Sequence, residues 1–209
     1  MVLFGETQST YQKRGHEMIR SYLLCAVFGA SGAGKSALLD IITKICPQAT
    51  IHRKLTTRKI RPEESAQNAK DLVFVDEVDP KKCEVVYRKF GNDYGVQKNL
   101  LRRAFVRKEL HFIIMRDTQA IRKLKQSHPE ARTIYIHTDP ESVDRNLQKR
   151  EGVDMQSRRS RIRDDFAEFV HNNTLFDHVV VNFWDIENAT RQIENILASC
   201  LKSAACELL

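Results

Sequence analysis

Eight consecutive residues, Gly29-Ala30-Ser31-Gly32-Ala33-Gly34-Lys35-Ser36, complete the pattern G-x-x-x-x-G-K-[ST]. These residue types at this spacing make a phosphate-binding loop. Glycines let the backbone turn sharply enough for successive N–H groups to point inward at phosphate oxygens. Lys35 brings a mobile, solvated ammonium to the β- and γ-phosphates of ATP, and the Ser36 hydroxyl is placed to ligate Mg2+. The plain alternative is a glycine-rich turn in which every fixed position matches by chance.

Such a loop works only when a strand delivers it and a helix receives it. Upstream, residues 23–28 are an unbroken apolar run that predicts a buried strand. Downstream, residues 36–44 predict a helix whose positive N-terminal end faces the phosphates. Residues 51–70 begin basic and turn polar, which predicts an irregular arm. Strands are expected at 72–75, around 85–87 and up to 95 about a turn at Gly91-Asn92-Asp93, then at 110–115, 133–136 and 178–181. Helices are expected at 99–108, 118–126, 140–149, 157–170 and 186–201. Strands alternating with helices predict an α/β fold with a central parallel sheet covered by helices on both faces.

At 209 residues the chain suits one such domain. A charged fraction of 29% and a hydrophobic fraction of 42% are ordinary for a soluble globular protein. No apolar stretch reaches the length of a membrane span. The first twenty residues are too polar for a signal-peptide core. Five scattered cysteines without C-x-x-C spacing point to free thiols in a reducing cytoplasm rather than to zinc. A net charge of +7 implies acidic partners. A pocket gathering several phosphates is favoured over a nucleic-acid surface, because nothing resembles an aromatic-interleaved RNA platform or a zinc finger.

The order of further motifs resembles the guanylate kinase family of P-loop nucleoside monophosphate kinases. Thr56-Thr57-Arg58-Lys59-Ile60-Arg61-Pro62-Glu63-Glu64 is similar to that family's T-T-R-x-x-R-x-x-E, and Gly91-Asn92-Asp93-Tyr94-Gly95 to its G-N-x-Y-G. Arg150 and Arg161 fall where the family carries lid arginines, and residues 176–182 resemble its D-x-V-I-V-N. The resemblance runs from about 23 to 198 and implies a kinase domain at 21–203, between a polar extension at 1–20 and a tail at 204–209. It also implies an acceptor-binding insertion at about 54–97 and a lid at about 150–159. Arg58, Arg61 and Tyr94 would hold the acceptor's phosphate, and Arg150 and Arg161 would close over ATP. Asp117, after the strand at 110–115, either orients Mg2+ through water or caps the next helix.

The resemblance is uneven. Leu72 stands where a second phosphate-binding tyrosine is expected. Where the family reads guanine, Lys54 replaces a serine, Val85 a glutamate, Val96 a serine or threonine, and Met115 an aspartate. Glu84 takes the glutamate's role only if the alignment slips by one. Lys54, Arg88 and Lys89 would add positive charge near the acceptor. The chain therefore reads as an ATP- and Mg2+-dependent small-molecule kinase. Its acceptor carries a phosphate, a nucleoside monophosphate first, with guanine selectivity in doubt. A sugar-phosphate kinase of the ribosyl-bisphosphate phosphokinase type, a binding module of the same fold and a nucleic-acid-end kinase are the alternatives. Oligomeric state is not legible.

Overall fold

The computed structural model describes residues 23–60, 65, 69–107, 110–139, 141–143, 155–183 and 185–206. The extension at 1–20, Arg61, Arg150, the first half of the lid at 150–159 and the last residues of the tail lie outside this set.

Strand β1 (Leu23–Gly29) is buried at all seven positions, as its uninterrupted apolar run requires. It lies at the centre of a five-stranded sheet with β2 (Thr50–His52), β7 (Leu110–Ile114), β8 (Arg132–His137) and β9 (His178–Val181), in the order β2-β7-β1-β8-β9. All four pairings are parallel. Because strand side chains alternate, β1 feeds two cores. Leu23, Cys25 and Val27 pack with α1 (Lys35–Ile45) and α5 (Ile186–Cys206). Leu24, Ala26 and Phe28 pack on the other face, against α3 (Thr118–Ser127). Further helices among the described residues are α2 (Lys98–Arg107) and α4 (Met155–His171).

A second sheet, in the order β4-β3-β6-β5, packs into the same buried core as Leu24, Ala26 and Phe28 of the first. It comprises β3 (Lys54–Thr56), β4 (Leu72–Phe74), β5 (Cys83–Lys89) and β6 (Asn92–Gln97). β3 pairs with β4 in parallel, while both pairings of β6 are antiparallel. The irregular arm expected over 51–70 is thus corrected in its first part, where β2 and β3 form. The apolar count there is low because His52 and Lys54 are polar, yet both are buried.

The β5–β6 turn lies at Phe90-Gly91, one residue earlier than the Gly91-Asn92-Asp93 expectation. Lys89 pairs with Asn92, and both turn residues have positive φ, 50° and 77°, as a two-residue type I′ hairpin demands. Of the helix expected over 140–149, only 141–143 are described. Asp139 accepts from the Ser142 backbone N–H at 2.7 Å there. Cys25, Cys46, Cys83 and Cys200 are free. Among the described residues, no helix is long and apolar enough to cross a membrane.

Candidate active site

The loop leaves the C-terminal end of β1, where open parallel sheets place their ligands. Gly32 and Gly34 both hold φ at 90°, a left-handed turn that other residues adopt only with strain. Lys35 opens α1, and Ser36 follows with its side chain exposed. The expectation of a solvated Lys35 is corrected: the residue is only 6% exposed. Its Nζ donates to the carbonyls of Gly29 at 2.6 Å and Ala30 at 2.5 Å. Burial, and then the nearby Arg116 charge, lower its pKa to about 7, while Asp165 and Asp71 oppose the shift.

Two residues of the 176–182 motif have structural tasks. Asn182 Nδ2 donates to Ala33 O at 3.0 Å and so braces the loop from β9. A Cβ on Gly34 would come 2.5 Å from that same Nδ2. Asp177 Oδ2 accepts from the Thr133 N–H at 2.8 Å and from Lys125 at 3.0 Å, fastening β9 to β8 and α3. Burial pushes the Asp177 carboxyl up, but these hydrogen bonds prevail and hold it low.

Of the residues expected to hold the acceptor, Tyr94 lies on the second sheet and Arg58 just beyond β3. Tyr94 is 2% exposed and stacks on Tyr87, its cross-strand partner, with ring centroids 5.1 Å apart. Arg58 is half-buried, its guanidinium carbon 5.2 Å from the centre of the Phe74 ring. Lys54 lies 6.0 Å from the Tyr94 ring centre and pairs with Asp71 at 3.0 Å. Arg61 and Arg150 lie outside the described residues. Arg161 falls within α4, with its side chain outside them.

Lys54, Arg88 and Lys89 are not the spare positive charge expected of them. Lys54 is neutralised by Asp71, Arg88 stands 3.9 Å from Asp93, and Lys89 pairs with Asp165 at 3.6 Å and with Glu168. Glu168 also accepts from the Thr118 N–H at 2.6 Å, so one carboxylate joins β5, α3 and α4.

Val85 and Val96 face one another across β5 and β6, each 1% exposed, in an apolar cluster that includes Leu72 and Met115. Glu84 is exposed, as expected for a neighbour of the buried Val85 in a strand. A slipped alignment therefore does not rescue the missing carboxylate.

Of the two roles open to Asp117, capping is the one displayed: Oδ1 accepts from the Ala120 N–H at 2.8 Å at the start of α3. Among the described residues, no group of three His, Cys, Asp or Glu could hold a metal. Mg2+ usually takes few protein oxygens beside substrate phosphates and water, so the exposed Ser36 hydroxyl fits such an ion without a dedicated cage.

Two charged residues went unnoticed in the sequence. Arg116 is half-buried two residues past the end of β7, and Asp165 is 6% exposed on α4. Burial raises the Asp165 carboxyl's pKa, against the pull of Lys35 and Lys89. Arg116 had a readable signal, a cation ending a buried apolar strand of a parallel sheet. Asp165 had none, being one of three acids on an arginine-rich helix.

Comparison with known proteins bears on family and fold. A model of the guanylate kinase family matches residues 21–200. A guanylate kinase of Myxococcus xanthus is 27% identical over 184 residues, covering 85% of this chain and 86% of that protein. One from Rickettsia bellii is 28% identical over 187 residues, covering 84% and 93%. The crystal structure of guanylate kinase from Anaplasma phagocytophilum superposes with a TM-score of 0.61 at 22% identity, covering 86% of each chain. With its loop, its two sheets and this match, the chain belongs to the guanylate kinase family and is an ATP-dependent phosphotransferase.

Proposed function

We propose that the protein transfers the γ-phosphoryl group of ATP to the phosphate of a nucleoside monophosphate whose base is not guanine. A phosphate oxygen of the acceptor bonds to the γ-phosphorus as the bond to the β-phosphate oxygen breaks. ADP leaves, with no covalent enzyme intermediate. The loop from Gly29 to Ser36 holds the triphosphate, Lys35 exchanging its two carbonyl partners for phosphate oxygens. Arg58, Arg61 and Tyr94 hold the acceptor phosphate, and Arg150 and Arg161 neutralise charge on the transferring oxygens as the lid closes. Mg2+, held through Ser36, supplies charge neutralisation at the phosphates when bound.

The observation that carries the base assignment is the Val85–Val96 pair. Guanine presents two N–H donors that call for a buried carboxylate, and this cluster offers none. Each unmatched donor costs about 1–3 kcal/mol on desolvation. The nearby carboxylate of Asp71 is already engaged by Lys54. Steady-state kinetics with MgATP against GMP, dGMP, AMP, CMP, UMP, dTMP and ribose 1,5-bisphosphate test the reading. A preferred acceptor other than GMP or dGMP is expected; a tenfold preference for either guanine nucleotide would overturn the base assignment.

A further inference from the structure

Val27 pairs with Ile114, and the Met115 N–H donates to Val27 O at 2.8 Å, so the end of β7 runs beside the start of the phosphate loop. Arg116 is the next residue. It makes no hydrogen bond or ion pair to any described residue, which is unusual for a half-buried guanidinium with five donors. Its charge is felt both at the phosphate loop and at the second sheet. Toward the donor it depresses Lys35; toward the acceptor it acts on Asp71, Lys54 and Tyr87. Those positions bracket the place where an acceptor phosphate must meet the loop.

A second observation points the same way. The Tyr87 hydroxyl is buried and has no hydrogen-bond partner among the described residues. Arg116 exerts the largest charge effect on it, and its ring stacks on the acceptor-side Tyr94. A buried hydroxyl without a partner destabilises the empty fold. Both Tyr87 and Arg116 are donors, so the group that satisfies them is rich in acceptor oxygens.

We propose that Arg116, assisted by the Tyr87 hydroxyl, binds the acceptor's phosphate at the junction between acceptor and donor. The proposal rests on the kinase reading above and deepens it by naming a further substrate-binding pair. An arginine pinned at the end of a core strand holds its position without lid closure, so it engages the acceptor before the site closes. It also stands as a like charge toward Lys35, so its removal relieves Lys35 and leaves ATP binding intact.

The test compares the parent with Arg116→Met, Arg116→Lys and Tyr87→Phe, using MgATP and the acceptor panel above. If the parent phosphorylates none of the panel, the kinase reading fails whatever Arg116 does. If the parent is active, its best acceptor is the probe. Arg116→Met is then expected to lower acceptor kcat/KM at least a hundredfold with the KM for ATP changed less than threefold. Arg116→Lys recovers at least tenfold of that loss. Tyr87→Phe lowers acceptor kcat/KM about tenfold while the melting temperature of the empty protein holds or rises. A purely structural hydroxyl would give the opposite thermal shift. Acceptor kcat/KM within threefold of the parent in Arg116→Met, or an equal loss toward ATP, overturns the proposal. Should Arg116→Met fail to fold, the same limits applied to Arg116→Lys and Tyr87→Phe decide it.

Discussion

Asn182 Nδ2 reaches across 149 positions of sequence to donate to Ala33 O, in the middle of the phosphate loop. The last strand of the sheet thereby sets the shape of the first loop. Asn182→Ala removes one hydrogen bond, a loss of about 1 kcal/mol in stability. The larger expected effect is on the loop, with the KM for ATP rising about tenfold, or ~1.4 kcal/mol. Gly34→Ala should be worse, because its Cβ meets Nδ2 at 2.5 Å and its φ is 90°. Combining the two changes relieves the contact but not the backbone strain, so the double variant should bind ATP better than Gly34→Ala alone. Titration of an ATP analogue into all three variants checks this order.

Lys35 predicts proton uptake on nucleotide binding. Burial leaves its folded-state pKa at about 7, below the ordinary 10.5, so above pH 7 the empty protein holds it largely neutral. Phosphates favour the ammonium, so binding at pH 8 draws a proton from buffer. Calorimetry in buffers of different ionisation enthalpy should show this, and Lys35→Met should abolish it together with transfer. The unfolded chain binds the extra proton between pH 7 and 10.5, so this residue makes the empty parent more stable as pH rises through that window. Denaturation of Lys35→Met across the same range should lack that slope.

Phe90 sits at φ 50° in the β5–β6 turn, a conformation that costs an aromatic residue about 1–2 kcal/mol. Phe90→Asn, with Gly91 following, supplies the preferred turn pair. It should raise stability by about 1 kcal/mol in urea denaturation, with acceptor kinetics unchanged within twofold.

The sequence shows the phosphate-loop part of this fold far better than the part built on the second sheet. β1, the loop and α1 are legible because local chemistry dictates them: an apolar run, fixed glycines, and a helix with Leu38, Leu39, Ile41 and Ile42 on one buried face. β2 and β3 are hidden because three-residue strands with His52 and Lys54 look polar until Asp71 and His111 are seen beside them. Surplus charge at Lys54, Arg88 and Lys89 likewise looks free until the fold brings carboxylates from 17 and 79 residues away to two of them. Arg116 is legible as a cation after an apolar run, but its place beside the loop exists only through the β1–β7 pairing.

His52 and His111 stack with ring centroids 4.9 Å apart, both buried between β2 and β7. His52 Nε2 has no hydrogen-bond partner among the described residues. Burial, and then the neighbouring His111, lower the His52 pKa from 6.5 to about 4. Below pH 6.5 the unfolded chain takes up a proton that the folded chain refuses. The stability tied to this group is complete above pH 6.5 and is lost progressively as pH falls toward 4. At about 1.4 kcal/mol per pH unit of separation, the loss amounts to about 3 kcal/mol. Substituting His52→Leu removes the titrating group while keeping an apolar contact with β7. Urea midpoints between pH 7 and 4.5 should fall steeply for the parent and less steeply for His52→Leu, the two curves converging toward the acid end. Parallel curves would show that His52 is not what makes this fold acid-sensitive.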